Sequence, residues 1–68
     1  ANSIVYYNSD EVILSYSVYN AIGKKIKIGY VNNYHFSFNV SDFKEGLYHV
    51  ELESIEGVCF FNKLIVSH

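Results

Sequence analysis

The strongest constraint on the fold is an alternation of apolar and polar side chains that recurs along most of the chain. Leu14, Tyr16 and Val18 share one parity, whereas Ser15 and Ser17 share the other. Successive side chains of a β-strand point to opposite faces, so this pattern predicts a half-buried strand. Val, Ile, Phe and Tyr together number 27, against 6 for Leu and Ala. Such side chains suit a pleated surface and lose rotamer freedom in a helix, so a helix bundle is excluded.

Polar and glycine-containing breaks divide the alternation into short segments. We expect a turn at residues 8–10, a turn ending at Gly23, a two-residue hairpin at Asn32-Asn33, a tight loop or single helical turn at 41–46, and a turn at Glu56-Gly57. The six segments between them are residues 3–7, 12–20, 24–31, 34–40, 47–54 and 58–66. A strand about every ten residues predicts a small antiparallel β-sandwich, and a seventh strand would complete it.

Parity also predicts which side chains form the core. The predicted core residues are Leu14, Val18, Ile26, Ile28, Phe36, Phe38, Val50 and Leu52. The last strand is less regular, because Phe61 and Ile65 have the parity opposite to Leu64 and Val66. We therefore expect a β-bulge near Asn62 that resets the register.

Charge and length exclude several classes of protein. The formal net charge of this 68-residue chain is −2, with five lysines and no arginine, so a nucleic-acid interface is not expected. No apolar run exceeds four residues, so no membrane-spanning helix is expected. A single cysteine cannot form an internal disulfide. The start at Ala1 without Met indicates a processed or excised piece.

The side chains that could support catalysis are sparse. Cys59 lies within an apolar strand segment, where a small buried hydrophobe is the expected role. His35 and His49 have solvent-face parity but lack further metal ligands at suitable spacing. Glu51 and Glu53 share a face, where they would keep the sheet soluble. We therefore predict no catalysis, no metal and no cofactor.

Three segments together resemble the C-terminal sorting domains (type A family) of the type IX secretion system of Bacteroidetes. Residues 18–26, VYNAIGKKI, resemble that family's V-Y-N/D-x-x-G-[KR]-x-[VI] motif. Residues 36–50, FSFNVSDFKEGLYHV, resemble its I-D-L-S-x-L-x-x-G-x-Y-x-V motif, with Phe43 in place of the usual Leu. Residues 63–66, KLIV, are similar to its closing K-L-[IV]-V. Residues 59–61, CFF, are more apolar than the family's usual strand, which suggests that a partner covers them.

The resemblance implies an immunoglobulin-like β-sandwich of six to seven strands and a non-catalytic secretion signal. Residues 1–68 would form one sorting domain that lacks its first strand or the family's Asn-Pro motif. The implied partners are an outer-membrane shuttle β-barrel, the type IX translocon and a sortase-like cysteine peptidase, without direct membrane insertion. The implied location is the periplasm in transit, followed by secretion or the cell surface. The residues expected to be recognised are Gly23, Lys24, Lys25, Gly46, Tyr48, Lys63, Leu64, Ile65 and Val66.

Two alternatives remain open from the sequence. A carbohydrate-binding or adhesion module would use exposed aromatic side chains, for which Tyr6, Tyr7, Tyr19 and Tyr34 are the candidates. A structural domain would instead pack on an upstream enzyme and carry no signal. Lys24, Lys25 and Lys27 fit either a solvated hairpin or a docking patch for an acidic partner.

Overall fold

The computed structural model describes residues 4–67, and these form an all-β fold built from one antiparallel sheet. Its four strands are β1 (Ile4–Tyr19), β2 (Lys25–Asn39), β3 (Gly46–Ser54) and β4 (Cys59–Val66). The order across the sheet is β2-β1-β3-β4, so β2 and β4 are the edge strands. No helix of residues 4–67 is long and apolar enough to cross a membrane. The all-β class is confirmed, whereas six or seven separate strands and an immunoglobulin-like topology are not.

Two of the predicted breaks are wrong, because the chain remains extended through them. Residues 8–10 lie inside β1, and Asn32-Asn33 lies inside β2. Asn32 does adopt the left-handed conformation that a turn would need, with φ of 55°. The hairpin does not form, because both halves of β2 pair with β1, which is long enough to span them, rather than with each other. The left-handed residue therefore produces a bend in a continuous strand.

The bend lies where the β1–β2 register is irregular. Asn8 pairs with His35 and Ile13 pairs with Asn33, so residues 9–12 of β1 lie opposite Tyr34 alone. Beyond the bend, residues 4–8 of β1 and 35–39 of β2, the remote halves of the two strands, fold back over the rest of the sheet. The ring of Tyr16 stacks on Phe38 with centroids 4.7 Å apart, and on Phe36 at 5.3 Å. One continuous hydrogen-bonded sheet thus forms both packing layers: the bent end of the β1–β2 hairpin is one layer, and the rest of the sheet is the other.

The core lies between these two layers. Its buried side chains are Ile13, Tyr16, Val18, Phe38, Val40, Tyr48, Val50, Leu52 and Val66. Val18, Phe38, Val50 and Leu52 confirm the prediction, and Phe36 is partly buried against the same cluster. Leu14, Ile26 and Ile28 are exposed instead.

The corrections at Leu14, Ile26 and Ile28 have two physical causes. A register shift between Ile13 and Ser15 turns Ile13 rather than Leu14 into the core. In β2, Lys27, Gly29 and Val31 share the inward parity. A Cβ on Gly29 would lie only 2.6 Å from the Tyr16 hydroxyl oxygen, so the absent side chain leaves room for the tyrosine ring.

The remaining turns follow local hydrogen bonds. Asn20 accepts the backbone N–H of Gly23 at 2.9 Å and, through its side chain, that of Lys24 at 2.9 Å. Residues 41–45 form the predicted tight loop, in which the N–H of Phe43 donates to Val40 at 3.0 Å. The fully buried Ser54 accepts the N–H of Val58 through its hydroxyl at 3.2 Å, which closes the turn before β4.

Candidate recognition surface

The nine residues predicted for recognition gather at one end of the sheet. β1 ends there at Tyr19, β2 begins at Lys25, β3 begins at Gly46, and β4 ends at Val66. Residues 20–22 of the turn and residues 45–48 line a common cavity of about 250 Å³. Segments far apart in sequence therefore meet. Because neighbouring strands are antiparallel, the β1–β2 turn lies beside the start of β3 and the end of β4.

A transverse row of side chains crosses this end on the outer face, away from the core. Cross-strand pairs join Lys25 to Tyr19, Tyr19 to His49, and His49 to Lys63. Three strand spacings separate the two lysines, which is about 14 Å. The Lys25 Nζ lies 5.7 Å from the centroid of the Tyr19 ring. The sequence predicted the two lysines but not Tyr19 and His49, which only the strand order brings between them.

The local conformation at Lys25 explains how it reaches this face. Val18 pairs with Lys27, whereas Tyr19 pairs with Lys25, so Ile26 is an extra residue in β2. Gly23, at φ of 87°, lets the preceding turn close without strain. The result is an exposed Lys24-Lys25 pair at the corner of the sheet.

The closing strand has two different sides. β4 is an edge strand, and Lys63 and Ile65 are exposed on its outer face. Leu64 is half-buried and Val66 is buried in the core. The predicted bulge near Asn62 is wrong, because the β3–β4 ladder is unbroken from Gly46–Val66 to Glu53–Cys59. A regular ladder leaves the excess apolar residues of this strand in solvent.

Gly46 and Tyr48 are positioned to support the surface. Gly46 has φ of 149°, a conformation that favours glycine, and pairs with Val66 at the start of β3. The Tyr48 side chain is only 7% exposed, packs on Phe43, and donates from its hydroxyl to the Lys44 carbonyl at 2.6 Å. Tyr48 and Val66 can therefore influence a partner only by holding the strands in place.

Cys59, the side chain with the greatest catalytic potential, lies at the start of β4. Cys59 is exposed, so its expected burial is wrong. Partial desolvation, together with the carboxylates of Glu51 and Glu53, raises the pKa of this thiol above its ordinary value. A raised pKa disfavours the thiolate, which is the reactive form. Among residues 4–67, no three His, Cys, Asp or Glu side chains are grouped to hold a metal ion.

The tyrosines proposed for sugar binding are dispersed. Tyr7 is half-buried in the aromatic stack on Phe36, with centroids 5.2 Å apart. Tyr19 lies on the outer face, where its hydroxyl donates a hydrogen bond to Glu51 at 3.0 Å. Tyr6 and Tyr34 are exposed on the long hairpin. The four rings do not form a single platform.

Comparison with known families identifies the chain. The sequence model of the family described as "Secretion system C-terminal sorting domain" matches residues 1–67. No curated protein and no solved structure matches the chain.

Proposed function

The chain belongs to the secretion system C-terminal sorting domain family, and on that premise we propose that it is the secretion signal of a cargo protein in the type IX system. The family match over residues 1–67 is the observation that carries this proposal. A folded domain would act as the signal, passing through the periplasm and directing its cargo across the outer membrane. Release into the medium or attachment at the cell surface would follow.

The surface proposed for recognition is the lysine row with the exposed end of β4. Lys25 and Lys63 lie at the two ends of that row, and Ile65 is exposed beside Lys63. A partner with acidic groups about 14 Å apart would match the two ammonium groups. The shuttle β-barrel of the outer membrane is the proposed partner. Gly23 and Gly46 would shape the two corners of the surface, with Tyr48, Leu64 and Val66 beneath it.

The edge of β4 offers a second mode of contact. An edge strand has backbone N–H and C=O groups directed away from its neighbour, and a partner strand can pair with them. Its exposed outward side chains would then determine which partner fits. This mode supports recognition of a folded domain rather than of an unfolded tail.

We also propose that a further strand completes the domain as an immunoglobulin-like sandwich. Residues 4–8 of β1 pair with β2, whereas pairing with β3 begins only at Ile13. Beside this segment lies a cleft of about 320 Å³ lined by Tyr7, Leu52 and Phe60. A strand from a longer chain could pair with the open side of residues 5–8 and cover Phe60. Slower amide hydrogen exchange at residues 5–8 in the longer chain would support this; unchanged exchange would contradict it.

The domain itself is proposed to be non-catalytic, with removal after export performed by a sortase-like cysteine peptidase. The exposed thiol of Cys59 beside two carboxylates supports a passive role, because those charges oppose thiolate formation.

A passenger experiment tests the export function. The 68 residues would be fused to a foreign periplasmic protein in a bacterium that has a type IX system. We expect the passenger outside the cell, with the unfused passenger and a translocon-deficient strain as controls. Retention of the fusion in the periplasm, or equal export without the translocon, would overturn the proposal. Glycan binding by the isolated domain would instead favour the carbohydrate-binding alternative.

A further inference from the structure

Lys25 stands at an irregular corner of the sheet and yet contacts an aromatic ring. It is exposed at the first position of β2, next to Ile26, the extra residue relative to β1. A lysine has a flexible four-carbon stem and, at an exposed corner, many accessible rotamers. The Lys25 Nζ lies over the Tyr19 ring, 5.7 Å from its centroid, which is within the limit of about 6 Å for a cation–π attraction. The ring therefore gives this ammonium group a preferred position.

The Tyr19 ring is itself anchored at its far end. Tyr19 is the last residue of β1, is half-buried, and has His49 as its direct cross-strand partner. Its hydroxyl reaches past His49 and donates to the Glu51 carboxylate at 3.0 Å, two residues farther along β3. Diagonal partners on neighbouring strands lie about 7–8 Å apart, which an aromatic side chain can span. The ring is thus fixed at its backbone by the β-ladder and at its hydroxyl by a carboxylate.

The hydrogen bond from Tyr19 to Glu51 also strengthens the contact with Lys25. A hydrogen bond to an ionised carboxylate is roughly twice as strong as one between neutral groups. It draws the phenol proton towards the carboxylate, so electron density in the ring increases and the ring attracts a cation more strongly. Glu51, Tyr19 and Lys25 therefore form a chain of contacts across β3, β1 and β2.

This chain of contacts has a consequence for recognition by a charged partner. A long side chain loses conformational entropy when a partner immobilises it, and a side chain that is already held loses less. With its ammonium over Tyr19, Lys25 also keeps a more constant distance from Lys63 at the other end of the row. A row with fixed spacing favours a partner whose acidic groups match that spacing.

We propose that Tyr19, anchored by Glu51, is a positioning residue that fixes the Lys25 ammonium group for recognition by an acidic partner. This inference rests on the proposed export function for its purpose. The position of the Lys25 side chain is measurable on the chain alone, so a failure of the inference is distinguishable from a failure of the export proposal. Glu51, which the sequence assigned to solubility of the sheet, then has a second role.

Nuclear magnetic resonance of the 68-residue chain tests the positioning directly. The ring current of an aromatic side chain shifts protons above its face upfield. We expect the Hε protons of Lys25 to resonate upfield of those of Lys24, its neighbour in the exposed turn. Tyr19→Leu should move the Lys25 resonances to the position of the Lys24 resonances. A wild-type Lys25 that resonates with Lys24, or a shift that survives in Tyr19→Leu, would overturn the proposal.

Variants of Glu51 separate anchoring of the ring from direct attraction between the carboxylate and Lys25. Glu51→Gln keeps an oxygen that can accept from the Tyr19 hydroxyl, whereas Glu51→Ala does not. We expect Glu51→Gln to retain more of the Lys25 shift than Glu51→Ala. Tyr19→Phe, which keeps the ring and loses the hydroxyl, should resemble Glu51→Ala. Equal losses in the two Glu51 variants would show that charge alone holds Lys25, and would overturn the role of Tyr19 as an anchored ring.

The passenger fusion connects the position of Lys25 with recognition. Tyr19→Leu should lower the initial export rate about two- to fivefold, the rate ratio that corresponds to a cation–π contact at an exposed site. Lys25→Met should lower it at least as much, and Tyr19→Leu should then have no further effect. In the matched control background, Lys24→Met, Tyr19→Leu should keep its full effect. Melting temperatures near that of the wild type establish that each variant is folded.

Two outcomes of the export measurement have different meanings. A Tyr19→Leu effect that persists unchanged in the Lys25→Met background would overturn the positioning role, because Tyr19 would then act independently of Lys25. A wild-type fusion that is not exported would overturn the export function instead, and the resonance comparison would still decide whether Tyr19 positions Lys25.

Discussion

Both faces of the central sheet carry large apolar side chains, but the two faces differ sharply in packing. On the inner face, Val18 and Val50 are fully buried, and the Tyr16 ring fits over a glycine. On the outer face, Ile28 and Phe61 remain at least half exposed although both lie in regular ladders. The difference shows that strand formation and burial are separate outcomes here. The inner face is closed by the remote halves of β1 and β2, whereas the described residues place nothing over the outer face.

The largest expected difference between the faces comes from truncating one isoleucine on each. Ile13→Ala removes a fully buried side chain and should destabilise the fold by about 2–5 kcal/mol, from lost transfer energy and a cavity. Ile65→Ala is the matched control on the outer face and should change the unfolding free energy by less than about 0.5 kcal/mol. Urea unfolding measures both values. Equal costs would show that the two faces are not packed differently.

A closer comparison uses neighbours in one strand. Leu14→Ala should cost less than Ile13→Ala, because Leu14 is already partly exposed while Ile13 is not. The reverse order in urea unfolding would restore the parity predicted from the sequence and would contradict the register shift between Ile13 and Ser15.

An intermediate effect is expected where the inner face is tightest. Gly29→Ala would place a Cβ against the Tyr16 ring, which is itself held between Phe36 and Phe38, so overpacking should cost about 1–3 kcal/mol. The same substitution in a Tyr16→Leu background should cost less, because the ring is gone. Thermal unfolding of the double-mutant cycle measures the coupling. Additive effects would show that the close approach of Gly29 and Tyr16 is not what constrains residue 29.

The smallest effect is expected at the bend. A side-chain hydrogen bond with Glu56 raises the pKa of Glu11, with smaller contributions from desolvation and from the charges of Glu56 and Asp10. Because the pKa of Glu11 is higher in the folded state, this carboxyl stabilises the fold when it is protonated. Its contribution is complete below the unfolded-state pKa and is lost as pH rises through the folded-state pKa. Glu11→Gln should therefore raise the melting temperature slightly at pH 7 relative to the wild type, and this gain should disappear in acid. With Glu56→Gln present, the pH-dependent gain from Glu11→Gln should be smaller, because only desolvation and the charge of Asp10 still raise the pKa of Glu11; an equally large gain would contradict the pairing.

The sequence predicts part of this fold because local alternation reports strand formation directly. Five of the six strand segments, all except residues 58–66, were predicted from side-chain parity, and the loop before Gly46 was predicted from turn chemistry. Neighbouring residues determine both signals. Asn32 illustrates the limit: its left-handed conformation was predictable, but whether it produces a hairpin or a bend depends on which strand pairs with β2. The inward position of Gly29 and the exposure of Ile28 depend in the same way on the Tyr16 ring, which is distant in sequence.

The candidate surface was predictable in its members but not in its arrangement. Lys25 and Lys63 were identified from motif resemblance, whereas the edge position of β4 comes from the strand order. Tyr19 and His49 were not identified, because they join the row only through the strand order β2-β1-β3-β4. Tyr48 was identified, but its burial shows that a residue in a motif can serve the fold beneath a surface rather than the surface itself.

The most direct test of the central claim is the export rate of a passenger fused to the Lys63→Glu, Ile65→Ser variant. Both side chains point outward, so the melting temperature should stay within a few degrees of the wild type. Tyr6→Ser, exposed away from this surface, is the control for a lost apolar side chain. We predict that the double variant loses export while the control is exported at the wild-type rate. Wild-type export of a double variant with an unchanged melting temperature would contradict recognition at this end of the sheet.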